Sequence, residues 1–211
     1  MALSTELTHA WVHGLAAARQ CPVPVEVPWG LRVDVGRRRE SVRHVLLHPD
    51  EASLRAAGDA ADRPFARVKG FVDPELGLQW LGPEWESSAD ELMMTAALSR
   101  QEPVQLPAGY EASAETADGV TRVQVRTAAG EVAAGGFMAV RGHIAVVDRV
   151  ETDTAHQRRG LGSAVMRLLS STAAEAGAET AILGATEEGR ALYESLGWEL
   201  HGLLAGFVRR T

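Results

Sequence analysis

The chain is short of cysteine, of lysine and of long apolar runs, and each shortage excludes a class of protein. Cys21 is the single cysteine in 211 residues, so neither an internal disulfide framework nor a multi-cysteine zinc site is expected. That usage suits a reducing, cytoplasmic setting. No window holds 18 consecutive apolar residues, so no membrane-spanning helix is expected. The opening Met1-Ala2-Leu3-Ser4-Thr5-Glu6 lacks the basic and apolar regions of a secretory signal. Lys69 is the only lysine among 21 basic residues, and in so alanine-rich a chain the arginine excess reflects genome composition rather than arginine chemistry. A basic stripe of the kind nucleic-acid binders carry is also missing, apart from Arg37-Arg38-Arg39.

What is present is ordinary globular material. Hydrophobic residues make up 45% and charged residues 23%, so a sizeable core can form without staples, in one large domain or two small ones. The 28 acidic and 21 basic side chains leave a net charge of −7, with −4 in residues 1–105 and −3 in 106–211. A mildly acidic surface favours cationic small molecules over anionic polymers. Neither a nucleic acid nor a membrane is expected as a partner.

The two halves read differently. Leu3, Leu7, Trp11, Leu15 and Ala18 recur at helical spacing over residues 1–20, with Ser4 or Thr5 as cap and prolines 22, 24 and 28 beyond the end. Leu31–Val35 and Val42–Leu47 read as a hairpin, and Asp50–Ala61 as a helix. Strands are expected at 65–72 and 76–81, then a helix over Ala89–Leu98 introduced by Ser87-Ser88. Pro103 and Pro107 mark a seam, which sets an N-terminal α/β lobe at 1–105 against a second unit at 106–211. No internal repeat is visible.

From Gly109 onward the signals sharpen. Alternating stretches at 120–125, 131–141 and 143–150, broken by Asp118-Gly119, Ala129-Gly130 and Arg141-Gly142, read as an antiparallel meander. A helix follows over 160–176, with Leu161, Val165, Leu168, Leu169 and Thr172 on one stripe and Gly177 at its end. Ala181–Leu183 is a buried strand, Thr186–Leu196 a second helix, and Trp198–Val208 closing strand material. This order gives a mixed α/β fold, a mostly antiparallel sheet with helices on both faces.

The chemistry is concentrated between Val146 and Ser163. A strand ends near Thr152, a loop passes Gln157-Arg158-Arg159-Gly160, and a helix begins at once. Gly160 and Gly162 let backbone N–H groups approach a ligand closely, and a helix start offers unpaired donors and a positive dipole end, a seat for phosphate. Neither a P-loop nor a dinucleotide fingerprint is present.

Gln157-Arg158-Arg159-Gly160-Leu161-Gly162 resembles the pyrophosphate-binding Q/R-x-x-G-x-G/A motif of the GNAT superfamily of N-acetyltransferases. Ala191-Leu192-Tyr193-Glu194-Ser195-Leu196-Gly197-Trp198, about thirty residues on, is similar to that family's A-x-x-L-Y-E-x-x-G-F/W signature. The resemblance covers roughly residues 108–211 and implies acetyl-CoA as acyl donor, with no metal. Residues 1–105 match no motif and would be a degenerate or modified lobe, as in some bacterial members. The resemblance further implies a bulged strand splayed from its neighbour. The main chain of Val150, Glu151 and Thr152 would pair with the pantetheine arm, an amide at Val150 facing the thioester oxygen. Gln157 and Arg158 through Ser163 (Arg158, Arg159, Gly160, Leu161, Gly162, Ser163) would hold the pyrophosphate. Tyr193 would be the general acid for the departing thiolate. Thr186 stands where the family often has asparagine. Pairing of exposed C-terminal strands, frequent in the family, would make a homodimer.

Acyl transfer to an amine sets its own demands. An amine with a pKa near 10.4 is neutral to only about one part in 10³ at pH 7, a cost of roughly 4–5 kcal/mol. A carboxylate or a carboxylate-ordered water assists. Glu151 is favoured narrowly over Asp148, with Asp153 just beyond; in an ideal strand the first two face opposite ways, and a bulge changes that. The reading is an acetyl-CoA-dependent N-acetyltransferase for a small primary amine. The alternative is a non-catalytic acyl-CoA-binding or regulatory protein of the same fold. His9 and His13, and His44 and His48, read as surface histidines, and Trp80, Trp85, Met93 and Met94 as packing.

Overall fold

A computed structural model describes residues 3–99 and 104–210; Pro103, one mark of the expected seam, lies outside them. The first half contains α1 (Thr5–Ala18), β1 (Val25–Val27), β2 (Gly30–Arg37), β3 (Glu40–Leu46), α2 (Glu51–Ala60), β4 (Arg67–Gly70), α3 (Pro74–Leu81) and β5 (Trp85–Ala97). The second contains β6 (Tyr110–Ala117), β7 (Val120–Thr127), β8 (Val132–Arg141), β9 (Ile144–Thr152), α4 (Leu161–Glu175), β10 (Thr180–Ala185), α5 (Glu187–Ser195) and β11 (Glu199–Arg209). A 3₁₀ turn at Thr154–His156 separates β9 from α4.

Two expected elements change type. Residues 76–81 are helical, because Asp73 accepts from the amides of Glu75 and Leu76 and Pro74 occupies the first turn, a strong helix start. Residues 89–97 form most of β5, a 13-residue strand held on both edges, by β10 and β11. Its alanines and methionines are good helix formers, but two ladders of backbone bonds and burial on both faces outweigh propensity. Met93 packs on one face and Met94 on the other.

The eleven strands among the described residues form one sheet, ordered β1-β2-β3-β4-β11-β5-β10-β9-β8-β7-β6. From the central β11–β5 pair outward, the two sides repeat. β3-α2-β4 and β9-α4-β10 are both parallel strand–helix–strand units, each followed by a helix and a last strand. Each last strand inserts beside the other half's unit: β11 lies against β4, and β5 against β10. The repeat is one of topology, with no trace in the sequence. β11 pairs with β5 along most of its length and with β4 only through Ala205–Val208.

Helix α1, capped by Ser4, covers one face and touches β2, β8, β9 and β10. β2 and β8 stand seven places apart in the sheet, about 34 Å if it were flat, whereas α1 is about 21 Å long. The sheet therefore curls around the helix, and Trp11, Val12 and Leu15 pack against Leu31 and Val33 from one side and Val146 and Ile182 from the other. On the opposite face α4 packs its predicted stripe, Leu161, Val165 and Leu169, over Val123, Met138 and Val147. A third core lies under α2 and α3. His44 belongs there: it is fully buried rather than at the surface, accepting a hydrogen bond from Trp29 Nε1 at 3.1 Å.

Candidate active site

The site begins where two parallel strands part. β9 and β10 pair only through Ile144–Val146 and Thr180–Ile182, although β9 runs on to Thr152 and β10 to Ala185. The cause lies on the other edge of β9. Its register with β8 steps from Phe137↔Asp148 to Gly135↔Glu151, so Arg149 and Val150 oppose Gly136 alone. Arg149 adopts φ 51°, and the bulge takes its neighbours out of regular pairing and bends the strand away from β10.

The fork opens toward the start of α4. Gly160, at φ 77°, is the N-cap and supplies no side-chain hydrogen bond, so the first amides of the helix, at Leu161, Gly162 and Ser163, have no cap. Arg158, at φ 60°, precedes it. Gly162 faces Leu192 across the opening; a Cβ there would stand 3.1 Å from Leu192 Cδ2 and 3.6 Å from Thr152 Oγ1. A cavity of about 840 Å³ is lined by Thr152, Gln157, Arg158, Gly160–Ser163 and the first turns of α5. Arg159 points elsewhere, donating to Tyr110 Oη at 3.0 Å and to the Ala155 carbonyl at 3.3 Å. Gln157 Nε2 donates to the Thr152 carbonyl at 3.4 Å. Thr186 caps α5, its hydroxyl accepting from the Gly189 amide at 3.1 Å.

Side chains divide between the two faces of the fork. Val150 lies on the α4 side, close to Val165 and Leu169, and Tyr193 is buried there against Trp198. Burial, and after it the negative charge of Asp148, hold the Tyr193 phenol above its usual range, so it stays protonated. The bulge puts Asp148 and Glu151 on the same face, the one α1 covers, instead of opposite ones.

Their surroundings differ. Asp148 is 8% exposed and takes two hydrogen bonds of 2.8 Å from Arg19 Nε and Nη2, with Arg149 Nε at 3.3 Å. Burial works against the Arg19 charge, but Asp148 outweighs it and holds the guanidinium above its usual range. Glu151 is exposed in a second cavity, of about 520 Å³, beside Arg122, Arg149 and Phe137. The Phe137 ring lies under both guanidiniums, at 5.8 and 3.9 Å, and Arg149 also donates to the Ala18 carbonyl at the end of α1. Asp153 is used as a cap, accepting from the Ala155 amide at 2.9 Å.

One charged pair was not foreseen. Lys69 on β4 is 2% exposed, its Nζ 3.2 Å from Glu91 Oε1 on β5. The sequence predicts a helix over 89–98, whereas the strand β5 carries Glu91 to the fork. The signal that was available is Lys69 itself, the lone lysine.

A parallel unit splayed by a bulge over an uncapped helix start, with a buried phenol beside it, is the architecture of an acyltransferase. The chain belongs to the GNAT acetyltransferase family, whose model matches residues 80–198 and so begins ahead of β5. Solved structures agree on the fold. A GCN5-related N-acetyltransferase from Kribbella flavida superposes with a TM-score of 0.72 at 18% identity, covering 100% of this chain and 97% of its own. A GNAT-family acetyltransferase from Novosphingobium aromaticivorans gives 0.63 at 15%, covering 99% and 100%. A tandem GNAT protein from the clavulanic acid biosynthesis pathway gives 0.54 at 15%, covering 85% and 73%. No curated protein matches the chain.

Proposed function

We propose that this acyltransferase moves an acetyl group from acetyl-CoA directly to a primary amine of a small-molecule acceptor in the cytoplasm. The observation that carries the reading is the fork between β9 and β10, ending on an α4 start with no side-chain cap. Pyrophosphate on the amides of Gly160–Ser163 would gain roughly 0.3–2 kcal/mol from the helix end alone. The main chain released by the bulge at Arg149-Val150 is free to pair with the pantetheine arm, and an amide aimed at the developing oxyanion contributes about 3 kcal/mol. Tyr193 gives its proton to the departing thiolate. No residue need bond covalently to the acetyl group, because orientation of amine and thioester supplies several kcal/mol.

Thermal melting tests the donor. Acetyl-CoA at about 100 times its dissociation constant adds about 2.7 kcal/mol, which in a domain of this size is roughly 5–11 °C. A melting temperature unmoved by acetyl-CoA overturns the reading. Thiol release with a primary amine then tests the transfer.

A further inference from the structure

Among the described residues, the buried side-chain atoms without a hydrogen-bond partner include Arg43 Nη1, Arg67 Nε, Ser88 Oγ, Glu91 Oε2 and Arg149 Nε. The strand registers set the first four on the face that α1 covers. Arg43 pairs with Arg67, and Val45, in the α1 core, pairs with Lys69; Lys69 is joined through Gly206 to Ser88. Glu91 shares its face with Met93, again in the α1 core. In β10, Gly184 shares its face with Ile182, and in β9 Asp148 shares its face with Val146; Ile182 and Val146 are the last pair before the fork. Gly184 and Asp148 are thus level across the opening. The Glu91 carboxylate lies over Gly184, where a Cβ would stand 2.9 Å from Oε2.

We propose that Glu91, on the strand that the first half inserts beside β10, receives the acceptor ammonium and takes its proton, so that both halves of the chain build one active site. The proposal rests on the acetyl-transfer reading above. Of the carboxylates around the fork, Asp148 has both oxygens bound to Arg19, and Glu151 sits out in the exposed cavity. Glu91 has one oxygen on Lys69 and the other free. The charges facing it are Lys69 from β4 and Arg19, the residue that ends α1; Arg19 also faces Asp148 and Glu40, and Lys69 faces Arg43 and Arg67. Burial pushes the Lys69 ammonium below its usual range, against the pull of Glu91 beside it. In the step itself the ammonium passes one proton to Glu91 Oε2. The freed nitrogen pair forms the C–N bond, and the C–S bond breaks. The thiolate takes the Tyr193 proton, and Tyr193 recovers one from the nitrogen. Glu91 later releases its proton to water.

The test uses ethylamine in large excess as acceptor, with acetyl-CoA binding measured separately by melting. Glu91→Gln is expected to bind acetyl-CoA as the parent does and to transfer about a hundredfold more slowly at pH 7. The deficit should close toward pH 10, where about a quarter of an amine with a pKa near 10.4 is already neutral. Because Glu91→Gln strands a buried ammonium, Lys69→Met/Glu91→Gln serves as the second variant, removing both charges. It should show the same deficit and the same closing with pH. A deficit that stays constant with pH, or an unchanged rate in the folded double variant, overturns the proposal. So does a parent protein that binds acetyl-CoA and transfers nothing to ethylamine. Failure to bind acetyl-CoA would instead overturn the donor reading.

Discussion

The units β3-α2-β4 and β9-α4-β10 share one topology and differ in how their helices begin. In the first, β3 passes to α2 through Leu47-His48-Pro49-Asp50, and the helix start is closed. Asp50 accepts from the Ser53 amide at 2.7 Å while Ser53 Oγ accepts from the Asp50 amide at 2.9 Å, a complete capping box with Glu51 beside it. The Ser53 side-chain and backbone hydrogen bonds hold the Asp50 carboxyl below its usual range, so it stays charged. An anion meets occupied donors and negative charge. In the second, eight residues, three of them in a 3₁₀ turn, separate strand from helix, and the cap is a glycine with no side-chain oxygen to offer. The following helix differs too: α5 carries Tyr193, and α3 has no tyrosine. One topology thus supports a closed structural unit and an open ligand seat, and a handful of side chains decides which.

Four changes would break or sharpen that contrast. The largest effect is expected for Tyr193→Phe, a fall in turnover of 10²- to 10⁴-fold with acetyl-CoA affinity retained, read from thiol release. An unchanged rate would remove the phenol from the reaction. Gly160→Asp gives α4 the carboxylate that α2 already has. Asp tolerates a left-handed φ better than most residues, so the fold should survive while acetyl-CoA affinity drops about a hundredfold, near 2.7 kcal/mol, by calorimetry.

A third prediction concerns the closed half. Burial, and after it the charge of Arg32, lower the His44 imidazole to about pKa 4 from 6.5. The unfolded chain therefore binds the extra proton first. Stability from this group is complete above about pH 6.5 and is lost as pH falls toward 4, up to about 3 kcal/mol. Urea unfolding at pH 7 and pH 5 measures it, and His44→Gln should flatten the slope. The smallest effect is expected for Asp50→Ala, a slight loss of stability from the missing cap with no gain of acetyl-CoA binding. A gain would mean that the cap alone separates the two units.

Much of this was legible beforehand because it is local. Ser4, Asp50 and Thr186 bond to amides three residues ahead, and Gly160 and Gly162 stand within one turn of the amides they uncover. The splay could be expected from the resemblance. The failures lie where distant chain decides. Asp73-Pro74 would have shown that 74–81 is helical, but 89–98 holds nothing to say that β10 and β11 would flank it. The parity of Asp148 and Glu151 turned on one residue, Arg149, accepting a positive φ.

Sequence alone determined the open helix start and the phenol two turns into α5, because caps, glycines and helical stripes act over a few residues. Only the tertiary structure decided that β5 and β11 trade places between the halves, and with them the position of Lys69 and Glu91. Strand partners are chosen by burial and backbone pairing between segments a hundred residues apart, and no short window of sequence records that choice.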